Sequence, residues 1–268
     1  MALGSATRPM ERLDGQQRVS STDTLAVEEP LRISLAEQPP VFIMRTPGND
    51  LELVRGLLFS EEVVFDERFA NITLTEAPPS RQQVAEVTVA TTGKKRLIWP
   101  KRGLPALSSC GVCGTSEEPS LSIHKPVMSN AEFSFEVVAS VPRTMRTHQE
   151  QFQQTGGLHA AALFDETGTM LVLREDIGRH NAVDKVIGWA LGNDAISFDK
   201  CLLGVTSRLS FEIAQKAVRA QIPVVCAISA PSSLAVDVGE RFRLTLCGFA
   251  RHGRFNIYSH SARIRSLC

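Results

Sequence analysis

The strongest constraint on the fold is an alternation of apolar strands and amphipathic helices between residues 201 and 250. Three segments there, CLLGV, PVVCAI and LTLCG, are almost wholly apolar, and FEIAQKAVRA and SLAVDVGERF separate them. Strands this apolar are typical of a mostly parallel sheet that helices cover on both faces. The pattern predicts an α/β domain, which we place at residues 131–268.

The first half of the chain has a different pattern. Residues 31–48 read as two strands broken by Pro39 and Pro40, and residues 50–64 as a helix that Asp50 caps. After this helix, apolar and polar residues alternate, as they do in β-strands, to about residue 100. We therefore expect a smaller, β-rich α+β domain over residues 21–100, preceded by a flexible tail over residues 1–20.

Charge and apolar runs exclude several classes of protein. Lys plus Arg and Asp plus Glu both total 29, so the net charge does not favour nucleic acid or an anionic membrane. The longest apolar runs are too short to span a bilayer, and the N-terminal residues lack a signal-peptide core. We expect a cytoplasmic protein whose six cysteines are reduced.

Cys110 and Cys113 form a C-x-x-C pair in residues 101–130, a Gly-, Ser- and Pro-rich segment that we expect to be a mobile loop. A zinc site would need four ligands, and His124 is at most a third, so no metal is expected. A thioredoxin-type site would need a helix directly after the pair, and none is evident. A thiol that carries sulfur between proteins would benefit from a loop that reaches outward, and this interpretation fits best. Cys201, Cys226 and Cys247 lie in or beside apolar strands and are predicted to be buried.

Polar residues follow each of the three apolar strands, where parallel sheets usually bind ligands. They offer hydroxyls, two predicted helix N-termini and three arginines, which are groups that bind phosphate or pyrophosphate. Arginines and serines in such loops are also common surface residues without a ligand. Residues 158–176 are predicted to form a hairpin, and polar clusters that include His159 and His180 flank it. His180 and Asp176, near a predicted helix start, could line the same pocket, but capping and packing explain them equally well. The candidate binding residues are Thr206, Ser207, Arg208, Ser229, Ser232, Ser233, Phe249, Ala250, Arg251, His252, Gly253, Arg254 and His180.

Several motifs occur in order along the chain: TPGNDLELVRGLL (46–58), SSCGVCG (108–114), TGGLHAAALFD (155–165), EDIGRHNAVDKVIG (175–188), TSRLSFEIAQKA (206–217), SAPSSLAV (229–236) and LTLCGFAR (244–251). Together they resemble the FdhD family of sulfur carriers that formate dehydrogenase requires. The resemblance implies a homodimer whose larger domain is cytidine deaminase-like, with a mixed, mostly parallel sheet flanked by helices. It also implies transfer of persulfide sulfur from a cysteine desulfurase to the molybdenum cofactor, a bis-molybdopterin guanine dinucleotide, which activates the catalytic subunit of formate dehydrogenase.

The resemblance assigns the persulfide to Cys110, makes Cys113 its auxiliary partner, and matches the loop from Phe249 to Arg254 to cofactor binding. Zinc deaminases need H-x-E, whereas His159 is followed by two alanines, so deamination is excluded. A module that binds the cofactor without carrying sulfur stays an alternative. The sequence therefore favours a carrier-type sulfurtransferase.

Overall fold

The computed structural model describes residues 4–35, 38–63, 72–78, 85–91, 99 and 125–266. Its first half contains a two-stranded sheet, a four-stranded mixed sheet of order β4-β3-β6-β5, and one helix. These elements are β1 (Ser5–Asp14), β2 (Gln17–Ala26), β3 (Glu29–Leu35), β4 (Val41–Arg45), α1 (Asp50–Ser60), β5 (Ile72–Ala77) and β6 (Ala85–Thr91).

The segment expected to be a flexible tail is instead mostly strand, because β1 and β2 pair as an antiparallel hairpin over their whole length. Gly15 stands in the turn with a positive φ of 60°, a conformation that glycine adopts without strain. Gly15 and Gln16 form the two-residue loop, and glycine at the first position of such a loop is a known hairpin signal. Both strands are largely polar and exposed, so no apolar alternation indicated them.

Helix α1 begins differently from the prediction. Asn49, in the left-handed conformation, is the N-cap, and Asp50 lies in the first turn. The Asp50 carboxylate accepts hydrogen bonds from Arg45 at 2.9 and 2.7 Å, and both side chains are buried. Asp50 therefore compensates a buried guanidinium rather than capping the helix.

The second half contains a six-stranded sheet of order β13-β12-β11-β10-β8-β9. Its remaining elements are β7 (Phe133–Ser134), α2 (Phe135–His148), α3 (Glu150–Thr155), β8 (His159–Phe164), β9 (Met170–Asp176), α4 (Arg179–Leu191), β10 (Leu202–Val205), α5 (Phe211–Arg219), β11 (Val224–Ala227), α6 (Ser233–Phe242), β12 (Thr245–Arg251), β13 (Arg254–Ser259) and β14 (Ile264–Arg265). The short strands β7 and β14 pair with each other.

The six-stranded sheet is mixed, as expected, but it is not mostly parallel, because more of its strand pairings are antiparallel than parallel. β10, β11 and β12 are parallel neighbours, as their sequences indicated. The other three pairings, β8–β9, β8–β10 and β12–β13, are antiparallel. The reason is that hairpins supply the outer strands: the β8–β9 hairpin lies on one side of the three parallel strands, and β13 follows β12 on the other side.

Both faces of this sheet are buried. Along β8, Ala161 and Leu163 belong to a hydrophobic cluster that includes α1, α4, α5 and α6. Their neighbours Ala160, Ala162 and Phe164 belong to a second cluster on the opposite face, which α2 covers. Because both faces are buried, successive residues of these strands are apolar instead of alternating between apolar and polar.

Helices α1 and α4 join the two halves of the chain. They cross at Gly56 and Gly188, where a Cβ atom on Gly56 would overlap the carbonyl oxygen of Asp184. A Cβ atom on Gly188 would likewise overlap the carbonyl oxygen of Glu52. The two main chains are therefore in direct contact, while the domain boundaries at residues 100 and 130 stay a prediction. None of the helices in the described part of the chain is long and apolar enough to cross a membrane.

Candidate functional site

The polar segments that follow β10, β11 and β12 lie side by side. We call residues 206–210, 229–233 and 249–254 together the strand-end edge. The Leu209 N–H donates to the Ala230 carbonyl at 3.1 Å, and the Ser232 N–H donates to the Leu209 carbonyl at 3.0 Å. The Phe249 N–H donates to the Ser229 carbonyl at 3.1 Å. Backbone hydrogen bonds thus bring together the three segments that the sequence singled out.

Two helices begin at the strand-end edge. Ser210 is the N-cap of α5, and Ser232 is the N-cap of α6. The Ser232 hydroxyl accepts a hydrogen bond from the Ala235 N–H at 3.2 Å. Helix N-termini carry partial positive charge, so both ends favour an anionic ligand at this edge.

Three arginines add permanent charge to the strand-end edge. Arg208, Arg251 and Arg254 are exposed, and the described carboxylates form no ion pair with them. The Arg251 guanidinium lies over the Phe249 ring at 5.9 Å from its centroid, and Phe249 is 38 % exposed. An aromatic ring beside exposed guanidinium groups can bind a ligand that has both a planar base and phosphates.

The segment from Phe249 to Arg254, expected to be a loop, is largely the end of β12 and its turn into β13. A bulge lies between Gly248 and Arg251, where Phe249 has a φ of 53°. His252 and Gly253 form the two-residue turn, with φ of 54° and 70°. The bulge bends β12 just before this turn, because an extra residue in one strand locally increases its twist.

Some candidate side chains serve the fold instead of facing a ligand. The Ala250 side chain is fully buried in the cluster beneath α2. The buried Ser207 hydroxyl donates to the Arg208 carbonyl at 2.9 Å. The Thr206 hydroxyl accepts from the Ala160 N–H at 2.9 Å. Ser233 is exposed in the first turn of α6.

His180 lies between α4 and the start of α5. It is 4 % exposed, and its Nε2 atom is 3.5 Å from the Ser210 hydroxyl and 3.7 Å from the Glu212 carboxylate. Burial acts to raise the pKa of Glu212, but hydrogen bonds from Ser210 and the Glu212 backbone, with the charges of His180 and Arg179, lower it. Glu212 is therefore ionised at neutral pH and faces an imidazole.

A buried polar network, which sequence reasoning missed, fixes the start of α4. The Asp176 carboxylate is fully buried and accepts from Gly178 N–H at 2.8 Å and from Asn181 Nδ2 at 3.0 Å. Its other oxygen accepts from Thr46 N–H at 3.2 Å and lies 2.8 Å from Lys185 Nζ. This network attaches the residues after β4 to the helix that carries His180. Its sequence signal is Lys185, a lysine directly before the apolar residues Val186 and Ile187 on α4.

The cysteines divide into two groups. Cys110, Cys113 and Cys268 lie outside the described residues, so the roles assigned to Cys110 and Cys113 stay predictions. Cys201, Cys226 and Cys247 are buried, as predicted. Burial raises the pKa of Cys201 and of Cys226 to about 12, and it raises that of Cys247 well above its usual value. These three thiols stay protonated at neutral pH and are poor nucleophiles.

Comparison with known families identifies this architecture. A family model described as the FdhD/NarQ family matches residues 26–265, which is most of the chain. The chain belongs to the FdhD/NarQ family. The resemblance found in the sequence motifs is therefore confirmed.

Relatives of similar length support this membership of the FdhD/NarQ family. The protein named sulfur carrier protein FdhD from Nocardia farcinica is 43 % identical and covers 98 % of this chain and 96 % of its own. The protein of the same name from Mycobacterium tuberculosis is 40 % identical, over 98 % of this chain and all of its own. That from Sulfolobus acidocaldarius is 41 % identical, over 92 % and 93 %.

A solved structure shows the same fold. This crystal structure, from Desulfotalea psychrophila, is described as that of a formate dehydrogenase accessory protein. It superposes with a TM-score of 0.76, at 22 % identity, over 98 % of this chain and all of the other. The mixed α/β architecture is thus shared, and the likeness to cytidine deaminases stays a prediction.

Proposed function

We propose that this protein is a sulfur carrier that activates formate dehydrogenase. A cysteine desulfurase would donate persulfide sulfur to Cys110. The acceptor would be the molybdenum cofactor, a bis-molybdopterin guanine dinucleotide destined for the catalytic subunit. The observation that carries the proposal is the near full-length similarity to relatives named sulfur carrier protein FdhD. A cytoplasmic homodimer is part of the proposal.

The loading step is a transfer between two cysteines. The Cys110 thiolate attacks the outer sulfur of the persulfide on the desulfurase. An S–S bond forms at Cys110 while the S–S bond of the donor breaks, and the donor cysteine leaves as a thiolate. No external oxidant or reductant is required, because the transferred sulfur keeps its oxidation state.

Delivery can use the second cysteine. The Cys113 sulfur attacks the inner sulfur of the Cys110 persulfide, and a disulfide forms. The bond to the outer sulfur breaks, so this sulfur leaves as hydrosulfide and is available to the cofactor. Cys113 is oxidised in this step and the outer sulfur is reduced.

The strand-end edge supports binding of the cofactor, which is a substrate here. The N-termini of α5 and α6 and the exposed Arg208, Arg251 and Arg254 suit its pyrophosphate groups. The half-exposed Phe249 ring suits stacking with its guanine. These residues fit the dinucleotide.

Intact-protein mass spectrometry tests the proposal. The full-length protein is incubated with a cysteine desulfurase and cysteine, and its mass is compared with that of Cys110→Ala and Cys113→Ala. We expect a mass increase of one sulfur on the wild type that Cys110→Ala lacks. Cys201→Ala is the matched control, since a buried thiol with a raised pKa should not carry sulfur. Sulfur on Cys110→Ala at the wild-type level would contradict the assignment.

The same variants distinguish a module that only binds the cofactor. The exposed arginines of the strand-end edge are compatible with that function as well. Such a module predicts that Cys110→Ala still activates formate dehydrogenase. A carrier predicts that Cys110→Ala retains cofactor binding but loses activation.

A further inference from the structure

Helices α5 and α6 begin at the strand-end edge with a similar backbone but with different side chains. Each has an extended serine as its N-cap, Ser210 with a φ of −85° and Ser232 with a φ of −83°. The second helical residue is Glu212 in α5 and Leu234 in α6. The first turn of α6 contains no acidic residue. The two helix starts therefore differ by one negative charge at equivalent positions.

The Glu212 side chain folds back onto the start of its own helix. Its carboxylate accepts hydrogen bonds from the Ser210 hydroxyl and from the Glu212 N–H. One carboxylate oxygen lies 3.7 Å from His180 Nε2, and the Ser210 hydroxyl lies 3.5 Å from the same nitrogen. His180 is 4 % exposed, and the Glu212 side chain is 20 % exposed. The carboxylate is thus held between α4 and α5 and is mostly shielded from solvent.

This carboxylate takes the position that an external anion would take at α5. The first N–H groups of a helix bind anions because they have no partner within the helix and carry partial positive charge. At α5, the Glu212 N–H and the Ser210 hydroxyl already donate to the carboxylate. Burial raises the pKa of Glu212, but these hydrogen bonds and the charges of His180 and Arg179 lower it overall. A phosphate at this place would therefore meet an ionised carboxylate, and like charges repel.

The start of α6 offers an anion a different environment. The Ser232 hydroxyl, a neutral group, accepts from the Ala235 N–H at 3.2 Å. Strand β11, which leads into α6, is the neighbour of β12. The Phe249 N–H donates to the Ser229 carbonyl at 3.1 Å, so the segment before α6 lies directly beside Phe249. The exposed Arg251 follows on the same strand. The start of α6 is thus adjacent to an aromatic ring and a permanent positive charge.

We propose that Glu212 is a specificity-determining residue, an inference that rests on the proposed function. Its carboxylate fills the anion position at the start of α5, so the phosphates of the cofactor bind at the start of α6, beside Phe249 and Arg251. One acidic residue in this way selects between two helix starts of similar backbone. The phosphate-binding part of the strand-end edge is then its α6 side.

GDP binding by full-length variants tests the α6 side. Leu234 is 39 % exposed, so a polar residue can replace it at the surface. Leu234→Glu places at α6 the charge that Glu212 supplies at α5, and Leu234→Gln is the uncharged control of the same size. An anion gains about 5-fold in affinity from a helix N-terminus, so Leu234→Glu should bind GDP at least ~5-fold more weakly than Leu234→Gln in isothermal titration calorimetry. Equal affinities of the two variants would overturn the inference.

A phosphate titration followed by NMR tests the α5 side. The ring resonances of His180, assigned by comparison with His180→Gln, are measured at constant pH and ionic strength. In wild type, inorganic phosphate should leave them unshifted, because the Glu212 carboxylate already lies 3.7 Å from the ring. In Glu212→Gln, which keeps the size of the side chain but not its charge, phosphate should shift them. Equal shifts in wild type and Glu212→Gln would overturn the inference.

The matched control for the titration is Glu166→Gln. Glu166 is exposed in the turn between β8 and β9, at the end of β8 opposite to the strand-end edge. This variant removes the same charge, so a His180 shift with phosphate in Glu166→Gln would show a general charge effect and overturn the inference. The wild-type titration and the Leu234 pair do not require that Glu212→Gln folds.

The failure of this inference and the failure of the proposed function give different results. GDP binding by wild type that becomes weaker in folded Glu212→Gln would show that the carboxylate assists binding. That result would overturn this inference alone. Absence of GDP binding by wild type would overturn the cofactor site of the proposed function and this inference together.

Discussion

Replacing Lys185 with Met should destabilise the protein by about 3–5 kcal/mol, the usual effect of removing one partner of a buried ion pair. Lys185 is 1 % exposed, and its Nζ lies 2.8 Å from the Asp176 carboxylate. Nζ also donates to the carbonyls of Thr46 at 2.9 Å and of Glu175 at 3.3 Å. Methionine fills a similar volume but leaves these three oxygens buried with one partner fewer. At about 2–4 °C per kcal/mol for a chain near this size, the melting temperature should fall by roughly 10 °C.

The assay is urea denaturation at pH 7, with Arg18→Met as the matched control. Arg18 pairs with Glu11 at 3.2 Å, but the two side chains are 67 % and 57 % exposed. An exposed pair contributes at most about 1 kcal/mol. Adding Asp176→Asn to Lys185→Met should restore part of the loss, because the uncompensated carboxylate is then removed. A loss for Lys185→Met no larger than that for Arg18→Met would refute the reasoning.

Two further predictions concern the core. Gly188→Ala should destabilise by about 1–3 kcal/mol in urea, despite a helix-propensity gain of about 1 kcal/mol, because its Cβ would overlap the Glu52 carbonyl oxygen. A midpoint at or above the wild-type value would show that α1 and α4 can separate without cost. In native protein at pH 8, iodoacetamide should leave Cys201, Cys226 and Cys247 unmodified, since burial raises the pKa of each thiol. All three should react in urea, and rapid labelling in native protein would contradict their burial.

Local patterns predicted the centre of the second half well. β10, α5, β11, α6 and β12 lie where the apolar runs and amphipathic segments indicated. Elements without such patterns were missed, among them β13 and α2, which contains Pro142. The direction of β8 relative to β10 could not be read either, because strand pairing is a long-range property. The residues after β10, β11 and β12 were therefore found from the rule that ligands bind where parallel strands end. The position of His159 beside the end of β10 became known only from the structure, in which β8 runs antiparallel to β10.

The buried network shows a second limit of sequence reasoning. The hydrogen bond from Lys185 to the Thr46 carbonyl joins residues 139 positions apart. No local pattern encodes such a partner, and a lysine on a helix is ordinarily solvated. The sequence did indicate Asp176 as a capping or pocket residue, and the structure shows that its carboxylate does cap the turn before α4. The rest of the buried polar network could be found only from the structure, because its hydrogen bonds join residues from both halves of the chain.

The contact between α1 and α4 has a mechanical consequence. Side chains between two helices usually absorb small displacements by changing rotamers, but at Gly56 and Gly188 the main chains touch. At this crossing no side chains lie between the two main chains, so the two helices move together. A protein that pushed on α1 from outside would therefore also displace the first turn of α4, where His180 lies. In this way, a force on the first half of the chain is transmitted to the strand-end edge in the second half.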